Sequence, residues 1–243
     1  MKAYLLPFAA LLALASCQKQ SVEPASPALN AQATADATAR LACGSFRTYT
    51  QGGWGAPARG NNPGAYRNAL FQAALMNGYI NGLVVGLPGQ ANRYYMRFET
   101  PGAIEDFLPQ GGTPAVLTGS YEYPFLTPMR QSVLFGQAVA LKLNVYYDNA
   151  EKQGTSAMHL YELVISRGPF AGMTVASFLA LVERVVGGDP SRTVLIGGTT
   201  VTFSLSQLND AAAAINENFD EGTSNRGYLR CPQPGDCQLQ PTQ

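Results

Sequence analysis

The chain has 243 residues and balances 16 basic against 16 acidic side chains, with no basic run that would favour a nucleic-acid partner. Its single histidine, His159, excludes many common zinc sites and leaves any His-based triad resting on one residue. The length beyond the N-terminal segments suits one domain with a proper core.

Met1-Lys2 is a short positive start, and Tyr4 to Leu14 is an apolar run too short to cross a bilayer as a helix. The run ends in Leu14-Ala15-Ser16-Cys17, which fits a lipobox: small residues before the cut, then a thiol whose sulfur takes the diacylglyceryl group. Residues 1–16 are therefore expected to be a signal peptide and Cys17 the lipidated residue. Two or more acyl chains, palmitate among them, anchor stably where one binds only reversibly. Ordinary secretion competes with this reading, because Ala13-Leu14-Ala15 also meets the small-x-small rule. No later apolar run approaches the length of about 20 residues that a spanning helix needs, so lipid is the expected membrane attachment. Gln18 and Lys19 carry no aspartate retention signal, which favours the outer membrane.

Gln18 to Leu41 is rich in Ala, Thr, Ser, Pro and Gln and has too few large apolar side chains to offset its ordering entropy. Residues 17–42 thus read as the lipidated cysteine and a tether, whose ends as a coil lie roughly 25–30 Å apart. The globular domain is expected over 43–231, with 232–243 as a tail. Phe46 to Thr50 reads as a short strand, and Gln51 to Gly55 and Arg59 to Gly64 as loops. Ala65 to Met76 has helical spacing of Tyr66, Leu70, Ala73 and Ala74. Leu83 to Leu87 and Arg93 to Phe98 read as strands around Pro88-Gly89. In the second, Tyr94, Met96 and Phe98 share one face and Arg93, Tyr95 and Arg97 the other.

Thr100-Pro101 predicts a short helix, stopped by Leu108-Pro109. Thr127-Pro128 repeats that signal before the longest helix, expected to run to about Tyr147. Its apolar residues cover nearly every side, the pattern of a buried central helix, and Gly136 within it implies close approach of a neighbour. Tyr161 to Ser166 reads as extended. Thr174 caps a helix with Val175, Phe178, Leu179, Val182 and Val186 on its inner face. Thr193 to Phe203 is a hairpin pattern around Gly197-Gly198. Ser204 and Gln207 form a capping box for a last helix that buries Leu208, Ala211, Ala212, Ile215 and Phe219. The expected fold is α+β: a helix-rich single domain with a long central helix and small antiparallel hairpins.

Five segments carry a resemblance: Thr48-Tyr-Thr-Gln-Gly-Gly-Trp54-Gly55, the Gly60–Gly64 loop, Asp106-Phe-Leu-Pro-Gln-Gly-Gly-Thr113, Gly168-Pro-Phe-Ala-Gly172 with Thr174-Val175, and Ile215-Asn-Glu-Asn-Phe219. In this order they resemble an uncharacterised family of secreted and envelope proteins of Bacteroidota, here in lipoprotein form. The resemblance spans most of Phe46 to Cys231. It implies an envelope location and carries over no activity and no functional residue.

Candidates for chemistry are few. His159 lies in an expected loop, where an unreactive surface histidine outweighs a general base. Glu105 and Asp106, or Glu217, are the carboxylates a hydrolase of extracellular polymers would use, though a solvated helix face accounts for the first two. No GxSxG elbow, HExxH pair or phosphate-cradling loop occurs, and no cofactor or metal is expected. Trp54, the only tryptophan, would form a ligand platform with Tyr49 and Tyr66, extended by Tyr95; burial as a lid on the core is the stronger alternative. Glu217, Asp220 and Glu221 crowd the C-terminal end of the last helix, against its dipole. Arg226 or Arg230 folding back is favoured over a calcium ion held with Asn216 or Asn218. Of the cysteines left after Cys17, pairing of Cys43 with Cys231 at the two ends of the domain is favoured over Cys231 with Cys237, leaving Cys237 free. The composition fits a non-catalytic module that binds a glycan or envelope protein, or has a structural role. The carboxylate-based hydrolase is the alternative.

Overall fold

Helices begin where a side chain can take up the first free amides. In the computed structural model, which describes residues 40–71, 82–123, 129, 131–234 and 236, five of the six helices start this way. They are α1 (Gln51–Trp54), α2 (Pro63–Leu70), α3 (Pro101–Phe107), α4 (Val133–Glu151), α5 (Val175–Val186) and α6 (Leu205–Asn216). Thr50, Asn62, Thr100, Thr174 and Ser204 accept from amides three residues on, and Gln207 returns the favour to Ser204. Proline at the start of α2 and α3 gives up no needed donor.

Helix α4 is the exception. Its Ser132 turns its hydroxyl away to accept from the Ala115 amide, so no side chain caps the helix. The helix starts at Val133 and not at Thr127-Pro128, which lie outside the described residues. It also runs one turn past Tyr147, carried by Tyr147–Glu151 and Asp148–Lys152 pairs four residues apart. Helices α1, α2, α5 and α6 and one strand surround it, which buries Leu134, Ala138, Val139, Leu141 and Leu143 completely. This is the central helix the apolar pattern demanded.

The strands are short and fall into four small sheets: β1 (Arg40–Leu41) with β2 (Gly44–Ser45); β3 (Leu83–Gly86), β4 (Tyr95–Phe98) and β5 (Tyr121–Glu122); β6 (Val164–Ile165) with β9 (Leu229–Arg230); and β7 (Thr193–Ile196) with β8 (Thr199–Thr202). All pairs are antiparallel except β4–β5, which is parallel. In β7–β8 the positive φ angles of Gly197 and Gly198 make the two-residue turn, so Val194 and Val201 pair on the half-buried side. The outer side leaves Leu195 69% exposed.

The fold class is as expected: α+β, rich in helix, with small hairpins. Several details differ. Phe46 to Thr50 forms no strand beyond a single bridge from Thr48 to Asp220, because its backbone groups go to side chains and to Phe219. Gln51 to Gly55 is not a loop: Thr50 caps one helical turn there. Residues 160–162 form a 3-10 turn before β6. Arg40 and Leu41, inside the expected tether, form β1 and pair with β2. At the other end Arg230 holds Asp236 with two 2.7 Å hydrogen bonds, so the expected tail is partly folded back. The expected signal peptide, Cys17, Cys237 and the end of the expected 65–76 helix lie outside the described residues. No helix among the described residues is long and apolar enough to cross a membrane.

Candidate functional site

Asn144 is the one polar side chain on the buried middle turns of α4, and an amide in such a place must satisfy two donors and two acceptor lone pairs. It does so completely. Its Oδ1 accepts from the Tyr49 amide at 2.8 Å and from the Trp54 indole at 3.0 Å. Its Nδ2 donates to the Tyr49 carbonyl and to Asn216 Oδ1, both at 2.9 Å. Asn216 passes the network on to the backbone and side chain of Gln137.

This hub decides the fate of the expected aromatic platform. The rings do come together: Tyr49 lies 5.1 Å from Trp54 and 6.0 Å from Tyr66, and Tyr147 touches all three. Trp54, however, is 0% exposed and Tyr49 only 4%, so neither offers a face to a ligand. Trp54 packs as core, the stronger alternative from the sequence, with its indole N–H donating to Asn144 Oδ1. Only Tyr66 reaches the rim. There Arg47, Tyr147 and Glu151 form the outer edge of the cluster, with the Tyr147 hydroxyl donating to Glu151 at 2.6 Å. Burial, then the Glu151 hydrogen bond, pushes the Tyr147 phenol well above its ordinary value. Burial also raises Tyr49, offset in part by Arg47. Burial pulls the Arg47 guanidinium down, but Tyr49, Tyr147 and Glu151 outweigh it and it stays above its usual range. Tyr95, the proposed extension of the platform, stands elsewhere, on β4.

The carboxylates are dispersed among separate partners. Glu105 binds Arg67, whose side chain is fully buried and also donates to the carbonyls of Trp54 and Ala56. Asp106 accepts from the Tyr123 hydroxyl. Glu217 is held by Arg226 across the end of α6, which is the expected fold-back; Arg230 pairs with Asp236 instead. Asp220 is pushed above the ordinary carboxylate range, first by burial and then by Glu221. No two of the candidate carboxylates share a binding partner among the described residues. His159 is not a free surface histidine. It stacks on Tyr161, and its Nδ1 lies 3.5 Å from Asp148, a buried carboxylate already engaged by Lys152 and the Leu160 amide. No group of three His, Cys, Asp or Glu side chains among the described residues is placed to hold a metal ion.

Of the five segments singled out in the sequence, the first supplies Tyr49 and Trp54 to the hub and the last supplies Asn216. Gln51 Oε1 accepts from the Gln110 amide, and Thr48 Oγ1 accepts from the Phe219 amide. Asn62 caps α2 while its Nδ2 holds the Pro57 carbonyl. Gly136 exists for the same contact: a Cβ there would stand 2.0 Å from Gln51 Oε1. These segments therefore fix the framework. The hub residues themselves had weak sequence signals: Asn144 as a lone amide in a helix apolar all round, and Arg67 within the apolar stripe of α2.

Cys43 and Cys231 form a disulfide with their Cα atoms 5.9 Å apart, the pairing favoured from the sequence. It ties the segment after β1 to the residue after β9. No protein-family model, no curated protein and no solved structure matches the chain.

Proposed function

We propose that the chain is a lipoprotein of the bacterial envelope, anchored through Cys17, whose domain is a non-catalytic binding or structural module. The observation that carries this reading is the Cys43–Cys231 bridge, since such bonds persist in oxidising compartments and are rare in the cytosol of mesophiles. A lipobox ending at Cys17 lies upstream of it. Residues between Cys17 and Arg40 then space the domain from the membrane, with the outer membrane the favoured location. The non-catalytic part is supported by the separate engagement of Glu105, Asp106 and Glu217, which a pair of cooperating carboxylates would not have. A glycan array followed by product analysis tests it. Specific binding without turnover is the expected outcome. Release of shortened products, lost in Glu105→Gln or Glu217→Gln, would establish the hydrolase instead.

A further inference from the structure

The outer face of the β3–β4–β5 sheet gathers an aromatic ring, a guanidinium and a carboxylate. Across the three strands, Val84, Arg97 and Glu122 stand in register as one row. Tyr95 lies beside that row, and the residue across from it on β3 is Gly86, which has no side chain. The opposite face of the same strands carries Leu83, Val85, Met96 and Phe98, all fully buried. Strand alternation thus presents Tyr95, Arg97 and Glu122 outward while the core holds the sheet rigid.

The three side chains order one another. The Tyr95 hydroxyl donates to Glu122 Oε1 at 2.9 Å, and the Arg97 guanidinium sits 5.6 Å from the Tyr95 ring centre. Arg97 Nη1 is 3.8 Å from the same Glu122 oxygen, an electrostatic contact too long for a hydrogen bond. Both interactions use Oε1. Glu122 Oε2 and the guanidinium Nη groups of Arg97 have no hydrogen-bond partner among the described residues. A free acceptor and free donors therefore lie close together, with the guanidinium over one face of the Tyr95 ring. The row itself carries one positive and one negative side chain, Arg97 and Glu122, and favours neither sign of ligand.

We infer that this face binds a neutral saccharide chain. A sugar hydroxyl both donates and accepts, so a pair of neighbouring hydroxyls matches the Glu122 Oε2 and Arg97 Nη pair, and the C–H face of the ring packs on Tyr95. A charged polymer would meet repulsion from one member of the Arg97–Glu122 pair. The assignment rests on the binding-module reading above and replaces the buried Trp54 as the contact surface.

Affinity electrophoresis of the folded, disulfide-bonded domain through native gels containing starch, a β-glucan, xylan or mannan tests it, with alginate as the charged control. At least one neutral polysaccharide is expected to retard the protein. Tyr95→Ala and Arg97→Ala should each weaken that retardation by about tenfold, while Leu195→Ala, at an exposed position on β7, leaves it unchanged. Circular dichroism and non-reducing gels establish that each variant is folded. Retardation that survives in both sheet variants would overturn the assignment and leave the binding-module reading standing. Retardation by alginate alone would overturn the neutral class. No retardation in any gel would overturn the saccharide ligand altogether.

Discussion

Replacing Asn144 with alanine is the most searching perturbation of the hub. The substitution strands four groups in the core: the Tyr49 N–H and C=O, the Trp54 indole N–H and one lone pair of Asn216. Each buried orphan costs about 1–3 kcal/mol, and partial relief by water or small shifts leaves an expected loss of ~4–6 kcal/mol. Against a typical stability of about 5–15 kcal/mol, that brings the domain close to unfolding. Asn144→Asp should fare no better. It keeps the two accepted bonds but cannot donate to Tyr49 or Asn216, and it adds a buried charge. Asn216→Ala removes the acceptor of one Asn144 bond and the donor to Gln137 and should cost about 1–3 kcal/mol, with an Asn144/Asn216 coupling of about 0.5 kcal/mol or more in a double-mutant cycle. Equilibrium unfolding in guanidinium, followed through the fluorescence of Trp54, reads all of these directly, since it is the only tryptophan and is fully buried. A loss below about 1 kcal/mol in Asn144→Ala, the value of one ordinary hydrogen bond, would refute the hub.

Gly136→Ala should destabilise by about 1–3 kcal/mol through overpacking against Gln51, outweighing a helix-propensity gain of about 1 kcal/mol; Gln51→Ala in the same chain should recover most of the loss in a melting experiment. Removing the bridge with Cys43→Ala and Cys231→Ala should lower stability by up to about 5 kcal/mol in the chain-entropy model, and peptide mapping without reductant should recover Cys43 linked to Cys231. Asp220→Asn should raise stability at neutral pH, because burial raises the folded carboxyl and ionisation therefore opposes folding. That gain should fade as pH falls through the carboxylate range, where the wild-type side chain is protonated in both states; a gain that grows on acidification would contradict it. Arg226→Ala should cost less than about 1 kcal/mol, since its pair with Glu217 is half-exposed, and calcium should leave the melting temperature unchanged.

The elements most legible in the sequence were those whose signals are local. Ser204 and Gln207, Thr174, and Thr100 with Pro101 each mark a helix start through atoms within three residues, and all three stand as expected. The apolar girth of α4 and the role of Gly136 were equally readable. What could not be read from local pattern was the use of backbone groups by distant side chains. Phe46 to Thr50 has the composition of a strand, yet Asn144, 95 positions from Tyr49, takes its hydrogen bonds. Ser132 stands at the start of α4 yet caps nothing, because its hydroxyl serves Ala115. The burial of Trp54, the favoured reading, stands, but the polar partner that allows it, Asn144 at 90 positions' distance, left no local pattern. The parallel pairing of β5 on β4, which sets Glu122 beside Arg97, depends on a two-residue strand with no periodicity to reveal it.

The central claim is that a lipid on Cys17 holds a disulfide-closed domain to the envelope. Metabolic labelling with palmitate in a lipoprotein-competent bacterial host, followed by membrane fractionation, tests it most directly. The wild-type chain should take up label and sediment with membranes, and Cys17→Ala should do neither while keeping its Cys43–Cys231 bridge. An unlabelled wild-type chain recovered from the soluble fraction would contradict the account.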